Sequence, residues 1–404
     1  MIFVIGTNIE KCSGCGACVE KCPRKCIHWK PGEFGFLYPE VDAAECIKCG
    51  LCLKVCPIGK NQDKPQEQHA YAVIHNSADT VMKSTSGGAF SAIAEYVLSL
   101  GGTVYGCAYR GHLSASHIRV ASKEELRLLN GSKYVQSSTG DSFAEAKADL
   151  ESGTWVLFSG TPCQIAGLHG YLGKQYDKLI TVDIVCHGVP SQAYFDKYIE
   201  WYETKHDVDI EDFDFRSKEN FGWSCAGTYR GTCRETSKRF VSKLNYFDSY
   251  YYFYFLSGDT YRKSCYSCDY ANLNRPGDFT LGDLWGAEGM GLPFSVDNGC
   301  SLLITNTPAA ESLMKSLKIR CREIPIKAAA ACNAQLQKPS GLTDTRDELK
   351  RQYDECSGDE IDAYFKKKYI VNRLKGRIKY CVPKPIRTSL NKIRYRGLKN
   401  IAED

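Results

Sequence analysis

The sequence predicts three regions: a small cysteine-rich α+β domain, a larger α/β domain and a basic, helical C-terminal tail. Eight of the 21 cysteines lie in two runs within residues 12–56. From Ala70 onward, strand-like runs alternate with amphipathic helical ones, as in α/β folds. Residues 366–404 carry thirteen Lys or Arg and only two acidic residues. We therefore expect domains at 1–60 and 70–345, a polar linker at 61–69 and a basic extension at 346–404.

The composition is that of a globular chain of two or three domains. Its 404 residues are 43% hydrophobic and 25% charged, and domains usually hold about 100–200 residues. No uncharged apolar stretch reaches the roughly 18 residues that span a bilayer, and the N-terminus lacks the features of a secretion signal. We expect a soluble, cytoplasmic protein, whose reduced cysteines are metal ligands or buried thiols rather than disulfides.

The two cysteine runs share the spacing C-x2-C-x2-C-x3-C-P. They are Cys12, Cys15, Cys18 and Cys22 before Pro23, and Cys46, Cys49, Cys52 and Cys56 before Pro57. In this spacing the first three thiolates of a run hold one 4Fe-4S cluster, and the fourth reaches the other cluster.

The sequence therefore predicts an α+β ferredoxin-like dicluster domain with crossed ligand sets. The first set is Cys12, Cys15, Cys18 and Cys56, and the second is Cys46, Cys49, Cys52 and Cys22. Zinc sites, the main alternative, normally use C-x2-C pairs that are further apart. Cys26 lies outside the pattern, and we expect it to be structural.

Two further cysteines follow predicted strands in the α/β region. The strand Trp155–Phe158 leads to Cys163, and the strand Ile180–Val185 leads to Cys186. Ligand sites in open α/β sheets gather at the carboxyl ends of strands, and a helix N-terminus favours a thiolate.

Together with the C-x2-C pair Cys265 and Cys268, these cysteines make a plausible third four-cysteine set. The alternatives are a redox-active Cys265/Cys268 pair or buried inert thiols. His187 is either a proton relay or a structural histidine.

Two other segments have two interpretations each. The turn at residues 84–88 precedes a helix predicted at Ala89–Leu100 and a strand at Thr103–Ala108. In one interpretation, the backbone amides of this turn bind a phosphate group. In the other, the Gly-Gly pair only forms a turn and binds no ligand. The aromatic stretch Tyr246–Phe255 either stacks on a ring system or packs in the core.

Six ordered motifs resemble the beta subunit of coenzyme F420 hydrogenase and dehydrogenase. They are STSGGAF at 84–90, GSKYVQS at 131–137, SGTPCQIA at 159–166, VCHGVP at 185–190, CYSC at 265–268 and DFTLGDLWG at 278–286. The resemblance spans roughly residues 70–307. It implies an α/β flavin-binding domain that holds FAD beside an iron–sulfur cluster.

The same resemblance implies site residues but assigns no catalytic one. The first two motifs would help to surround the flavin through Ser86, Gly87, Gly88, Lys133, Tyr134, Gln136 and Ser137. The third 4Fe-4S cluster would be held by Cys163, Cys186, Cys265 and Cys268.

The implied activity is that of an iron–sulfur flavoprotein oxidoreductase. A flavin joins one-electron clusters to two-electron hydride chemistry. The expected partners are ferredoxin or another redox protein and a small hydride donor or acceptor. That small molecule is the deazaflavin coenzyme F420 or another metabolite, with a link to polysaccharide biosynthesis among the options. The alternative is a non-catalytic electron-transfer subunit of a larger hydrogenase or dehydrogenase.

The basic tail also has two interpretations. Its cations alternate with apolar residues, which suits peripheral contact with the anionic inner membrane face or with an acidic partner. The alternative is a solvated helical extension. Nucleic acid is not expected as a partner, because no binding motif accompanies the charge.

Overall fold

The computed structural model describes residues 9–60 and 68–382, together with residues 386, 389 and 390. Most of the linker predicted at 61–69 lies outside these residues, as does most of the tail beyond residue 382. Among the described helices, none has the length and apolar character that crossing a bilayer requires.

Within residues 9–60, the N-terminal domain is built around a hairpin and two short α-helices. The antiparallel strands β1 (Ile27–Pro31) and β2 (Leu37–Val41) form the hairpin. The helices are α1 (Ala17–Lys21) and α2 (Leu51–Val55), and each begins after a glycine with positive φ. Cys22 and Cys56, the fourth cysteines of the two runs, directly follow the two helices.

The rest of the described chain alternates strands with helices. The strands are β3 (His69–His75), β4 (Thr103–Arg110), β5 (Ser114–Val120), β6 (Val156–Gly160), β7 (Leu179–Ile184), β8 (Val208–Asp214), β9 (Ala226–Cys233), β10 (Arg239–Asn245), β11 (Phe279–Asp283), β12 (Ser301–Thr305) and β13 (Ile319–Ile324). The helices up to β10 are α3 (Ala78–Lys83), α4 (Ala89–Ser99), α5 (Lys123–Leu126), α6 (Ser142–Glu151), α7 (Pro162–Leu172), α8 (Gln192–His206) and α9 (Lys218–Phe221). The later helices are α10 (Tyr250–Ser257), α11 (Pro308–Leu313), α12 (Ile326–Cys332), α13 (Arg346–Glu355), α14 (Gly358–Lys368) and α15 (Ile370–Cys381).

The main sheet has eight strands in the order β13-β3-β12-β11-β7-β6-β4-β5. Its centre is parallel, because β4 pairs with β6, β6 with β7 and β7 with β11 in the same direction. β3 also runs in this direction, since both it and β11 are antiparallel to β12. The carboxyl ends of five strands therefore lie at one edge of a mixed α/β sheet. The α/β prediction is thus confirmed, and α4, β4, β6 and β7 occupy the predicted segments within about two residues.

A second, antiparallel sheet, in the order β10-β9-β8, packs beside an aromatic core. Helix α10 holds six consecutive buried aromatic residues, Tyr250–Phe255, so packing is the role of most of the predicted aromatic stretch. Leu349 of α13 and both Ile361 and Phe365 of α14 belong to the same core. The core therefore continues past the domain boundary predicted at residue 345.

Candidate functional site

The first predicted cluster set is brought together by the fold. Burial raises the pKa of Cys18 to about 12, and the neighbouring thiols of Cys12, Cys56 and Cys52 add to the rise. The pKa of Cys56 is likewise raised by burial and by Cys12. The last cysteine of the second run therefore adjoins the first run, as crossed ligation requires.

The second set is connected through Cys26. Burial and the adjacent thiols of Cys49 and Cys46 raise the pKa of Cys52. The Sγ atoms of Cys22 and Cys26 are 3.4 Å apart. Burial raises the pKa of Cys26 to about 11, and its contacts with Cys22 and Cys46 contribute. Cys26, which we expected to be structural, thus lies between two predicted ligands.

The donor chemistry of both sets suits iron–sulfur clusters. Thiolate sulfur is the usual ligand of such clusters, and ligation removes the proton of each thiol. In residues 9–60 and the other described parts, no three Cys, His, Asp or Glu side chains converge closely enough to hold a single metal ion. A cubane with four irons spreads its ligands more widely than a single ion does.

The third set comes from three parts of the body. Cys163 lies in the first turn of α7, which a capping box between Thr161 and Gln164 fixes. Cys186 follows β7, and Cys265 lies in the short 3-10 helix Lys263–Ser267.

The four thiols of this set are neighbours. Burial raises the pKa of Cys186 well above its ordinary value, and the thiols of Cys265, Cys163 and Cys268 raise it further. Burial raises the pKa of Cys265 to about 12, again with a contribution from Cys163. All four predicted ligands are therefore in one place, at the carboxyl edge of the sheet.

A buried ion pair fixes the loop that follows Cys268. Arg275 donates to Oδ1 of Asp183 from Nη2 and Nε, at 2.6 and 3.0 Å. The side chains are 1% and 0% exposed. Arg275 also donates from Nη1 to the Tyr270 carbonyl at 2.6 Å, and the Gly277 amide donates to Oδ2 of Asp183 at 2.9 Å. The loop is thus tied to β7, just before Cys186.

Helix α7 joins the dicluster domain to the body. A Cβ added at Gly167 would lie 2.9 Å from Sγ of Cys15, and one at Gly170 would lie 2.2 Å from the Val55 carbonyl oxygen. Only glycine permits this close approach at both positions. Because Cys163 begins the same helix, the third set adjoins the first, and Cys163 contributes to the raised pKa of buried Cys15.

Arg262 is a second connection between the two parts. Its Nε donates to the Cys12 carbonyl at 2.6 Å, and its Nη2 donates to the Leu37 carbonyl at 2.8 Å. Its Nη1 donates to Oε1 of Gln136 at 3.1 Å. The guanidinium lies 4.2 Å from the ring centroid of Tyr38. One cation of the body, 1% exposed, is therefore inserted into the dicluster domain beside a predicted cluster ligand.

A cavity of about 510 Å³ lies beside the third cysteine set, and its lining includes all four of those cysteines. Six of the seven residues that the resemblance assigns to the flavin also line it: Ser86, Gly88, Lys133, Tyr134, Gln136 and Ser137. Gly87 instead packs against the sheet, where a Cβ would lie 2.2 Å from the Val73 carbonyl oxygen. The turn at residues 84–88 therefore lies between the sheet, against which Gly87 packs, and the cavity, which Ser86 and Gly88 line.

Several of these side chains already have protein partners. Nζ of Lys133 donates to the Asn130 carbonyl at 2.5 Å, and Nε2 of Gln136 donates to the Ser13 carbonyl at 2.9 Å. Oγ of Ser137 accepts from Nε2 of Gln164 at 3.1 Å. Their side chains therefore shape the wall, and Gln136 also fastens the dicluster domain.

The cavity fits a flavin-sized ligand. Cofactor pockets usually enclose about 300–1,000 Å³. Helix α4 begins at the cavity after Gly88, which has no side chain to cap it. The Ala89 amide donates to Oγ of Ser301 at 3.4 Å, so an anion at this helix end would bind the amides that follow Ala89. His187 also lines this space, and burial lowers its pKa while nearby Asp283 opposes that effect.

The cavity residues that sequence reasoning missed include Arg216, Asp283 and Trp285. Asp283 and Trp285 belong to the DFTLGDLWG motif, so this motif could have indicated that they belong to the site. Arg216 follows β8 of the second sheet, and no spacing or motif marked it.

Comparison with known proteins identifies two regions of the chain. Residues 153–327 match the family model for the C-terminal part of the beta subunit of coenzyme F420 hydrogenase/dehydrogenase. Residues 11–60 match the 4Fe-4S dicluster domain, which confirms that prediction. No curated protein matches the chain.

One solved structure that matches is a xenon derivative of the F420-reducing [NiFe] hydrogenase complex from Methanosarcina barkeri. It has 14% identity and a TM-score of 0.39, and the match covers 76% of this chain and 94% of that chain. A likeness at this level supports no argument. The two family matches therefore identify residues 11–60 as a 4Fe-4S dicluster domain and show that residues 153–327 are related to the C-terminal part of the beta subunit of coenzyme F420 hydrogenase/dehydrogenase, an oxidoreductase family.

Proposed function

We propose that the protein is a flavin-dependent iron–sulfur oxidoreductase with three 4Fe-4S clusters. The observation that carries the proposal is the cavity, because the segments expected to surround FAD and the third cysteine set line the same space. A bound flavin would supply the exchange between hydride chemistry and single electrons. A deazaflavin or another small hydride carrier is the proposed substrate.

The chain's own residues would provide the electron path. Cys163 stands at the start of α7 beside the cavity, and Gly167 of the same helix packs against Cys15. Cys18 of the first set is also close to Cys52 of the second. The sets therefore follow one another from the cavity through the third and first clusters to the second, where ferredoxin or another redox protein would dock.

Anaerobic purification with metal and flavin analysis tests this proposal. We expect FAD and about twelve irons per chain, against about eight if only the dicluster domain is loaded. Cys268→Ala should reduce the iron content to about eight, whereas Cys332→Ala, outside all three sets, should leave it unchanged. A colourless protein without flavin would contradict the proposal, as would full iron content in the Cys268→Ala variant.

Turnover separates this enzyme from the alternative, an electron-transfer subunit. The isolated chain should pass electrons from a hydride donor to ferredoxin, and reduction by dithionite should bleach the flavin. If the loaded chain reacts with no hydride donor until a larger redox subunit is added, the subunit role is correct and the enzyme proposal is wrong.

We also propose that α15 contacts an anionic membrane surface. Ile370, Leu374 and Ile378 are spaced by four residues on one face of this helix, and all are more than half exposed. The opposite face packs on the body, where Gly376 contacts Phe247. Lys366, Lys367 and Lys368 end α14, one residue before α15, and Lys366 and Lys368 pair with Asp362 and Glu348. Cations beside an exposed apolar helix face suit binding at an anionic lipid surface.

Co-sedimentation with vesicles tests the membrane contact. Vesicles with anionic lipid should bind the wild-type protein, and the double variant Leu374→Asp, Ile378→Asp should bind much less. Val241→Asp changes an equally exposed apolar residue on β10 and should have no effect. Equal sedimentation of all three proteins would leave α15 as a solvated extension.

A further inference from the structure

Arg216 reaches the cavity from the loop after β8 and is only 5% exposed. Its Nη1 donates to Oδ2 of Asp283 at 3.0 Å and to Oη of Tyr134 at 3.1 Å. Its Nε and Nη2 are buried and have no hydrogen-bond partner among the residues that the structure describes. A buried donor without an acceptor costs folding free energy. Because Arg216 lines the cavity, a ligand bound there could supply the missing acceptors.

The two unpaired nitrogens form a specific shape. Nε–H and one N–H of Nη2 lie on the same edge of the planar guanidinium and point in parallel. That edge matches the two oxygens of a carboxylate or phosphate group, which it binds with a pair of charge-assisted hydrogen bonds. A neutral ligand with one acceptor would satisfy only half of it.

The surroundings hold this edge in place. The Arg216 guanidinium lies 5.1 Å from the ring centroid of Trp285, which stacks on Trp223 at 5.0 Å and 6°. Nε1 of Trp223 donates to Oδ1 of Asp283 at 2.9 Å. The indole of Trp223 therefore orients the Asp283 carboxylate, and this carboxylate in turn orients Nη1 of Arg216. The face and one edge of the guanidinium are occupied, and the Nε/Nη2 edge remains.

The backbone on both sides of Arg216 is also fixed. Its amide donates to Oδ1 of Asp214 at 2.9 Å. Nζ of Lys218, two residues later, donates to the Val81 and Ser86 carbonyls at 2.6 and 2.5 Å. The loop is thereby attached to the turn that borders the cavity, so the guanidinium is presented by a rigid segment.

We propose that the Nε/Nη2 edge of Arg216 is an oxyanion-binding site that takes a carboxylate or phosphate group of the cavity's ligand. The identity of that ligand rests on the proposed function. The carboxylate or phosphate group could belong to either of two molecules. One is the flavin itself, through a phosphate, and the other is the molecule that exchanges hydride, through an acid group.

Anion binding to the full-length protein tests the site without any turnover. Inorganic phosphate and acetate are the probes, titrated by calorimetry in a chloride buffer. Arg216→Gln removes the charge, whereas Arg216→Lys keeps a cation beside Asp283 but removes the two-donor edge. Both variants should bind each probe at least tenfold more weakly, because two hydrogen bonds to a charged group are lost. Arg320→Gln, which removes an exposed arginine on β13, should bind as the wild type does.

Flavin-loaded and flavin-stripped protein distinguish the two sources. If the flavin phosphate occupies the site, the probes bind only stripped protein, and the Arg216 variants lose flavin during purification. If the substrate's acid group occupies it, the probes bind both forms and flavin retention is unchanged. Equal probe affinity of the wild type and Arg216→Lys in both forms would overturn the inference. A protein purified without flavin would contradict the proposed function alone, since the titration of stripped protein remains informative.

Discussion

Replacing Gly170 with alanine should loosen the dicluster domain from the body. The added Cβ would lie 2.2 Å from the carbonyl oxygen of Val55 and 3.1 Å from its carbonyl carbon. An ordinary contact requires about 3.4 Å, so α2 and α7 must separate by about 1.2 Å at this point. The carbonyl atoms of Val55 that would clash belong to the backbone, so no side-chain rotation can relieve the overlap. Val55 directly precedes the predicted ligand Cys56, which should therefore move as well.

The energetic cost follows from two opposing effects. Overpacking typically costs about 1–3 kcal/mol, and the upper end applies where backbone must move. Alanine in place of glycine returns about 1 kcal/mol of helix propensity. We therefore expect a net loss of about 2 kcal/mol in unfolding free energy. If the third cluster proposed above is present, the displacement of Cys56 should also slow electron transfer from it to the first cluster.

Thermal unfolding and freeze-quench electron paramagnetic resonance measure these two effects in the anaerobic protein. The matched control is Gly341→Ala, because no heavy atom lies within 4 Å of its added Cβ and its backbone needs no positive φ. An alanine at position 170 that leaves the melting temperature, iron content and reduction kinetics unchanged would refute the close seating of α2 on α7.

Three further outcomes are expected. Arg262→Met should cost about 3–5 kcal/mol of stability by leaving buried carbonyl acceptors unpaired, and redox titration should show a lower potential for the first cluster once the adjacent cation is gone. Burial lowers the pKa of His117 from 6.5 to about 4. The unfolded chain therefore binds the proton first, and about 3 kcal/mol of stability present above pH 6.5 is lost as the pH falls towards 4. His117→Gln should flatten that slope in denaturant titrations, and an unchanged slope would contradict this assignment. Asp183→Asn should cost about 3–5 kcal/mol by leaving Arg275 unpaired, whereas Asp79→Asn, in an exposed ion pair, should cost less than about 1 kcal/mol; similar losses would contradict the buried pair's importance.

The local parts of the site were predictable from the sequence. The cysteine spacing predicted the dicluster domain, because a short loop forces neighbouring thiolates to one centre. Cys163 and Cys186 were placed at one sheet edge from the strand runs before them, since parallel strands share that edge. Their proximity to Cys265 in the structure agrees with that argument.

The long-range parts of the site were not predictable. Arg216 and Arg262 are ordinary arginines in the sequence, and their roles come from partners about 70 and 250 residues away. Gln136 was assigned to the flavin by resemblance, yet its side chain is bonded to the Ser13 carbonyl and to Arg262. Packing between distant segments decides such roles, and neither residue type nor local spacing predicts that packing.

Close packing holds the dicluster domain to the body at two separate places, in addition to the hydrogen bonds of Arg262 and Gln136, and this bears on how its clusters affect the whole protein. One is the glycine face of α7. The other is Phe34, between β1 and β2, which is 1% exposed and packs on Tyr194 and Tyr353 of the body's aromatic core. So small a domain buries little apolar surface of its own, and cluster binding supplies much of its folding free energy. Loss of a cluster would therefore destabilise the dicluster domain and weaken both of its contacts with the body. The stability of the body should consequently depend on iron loading.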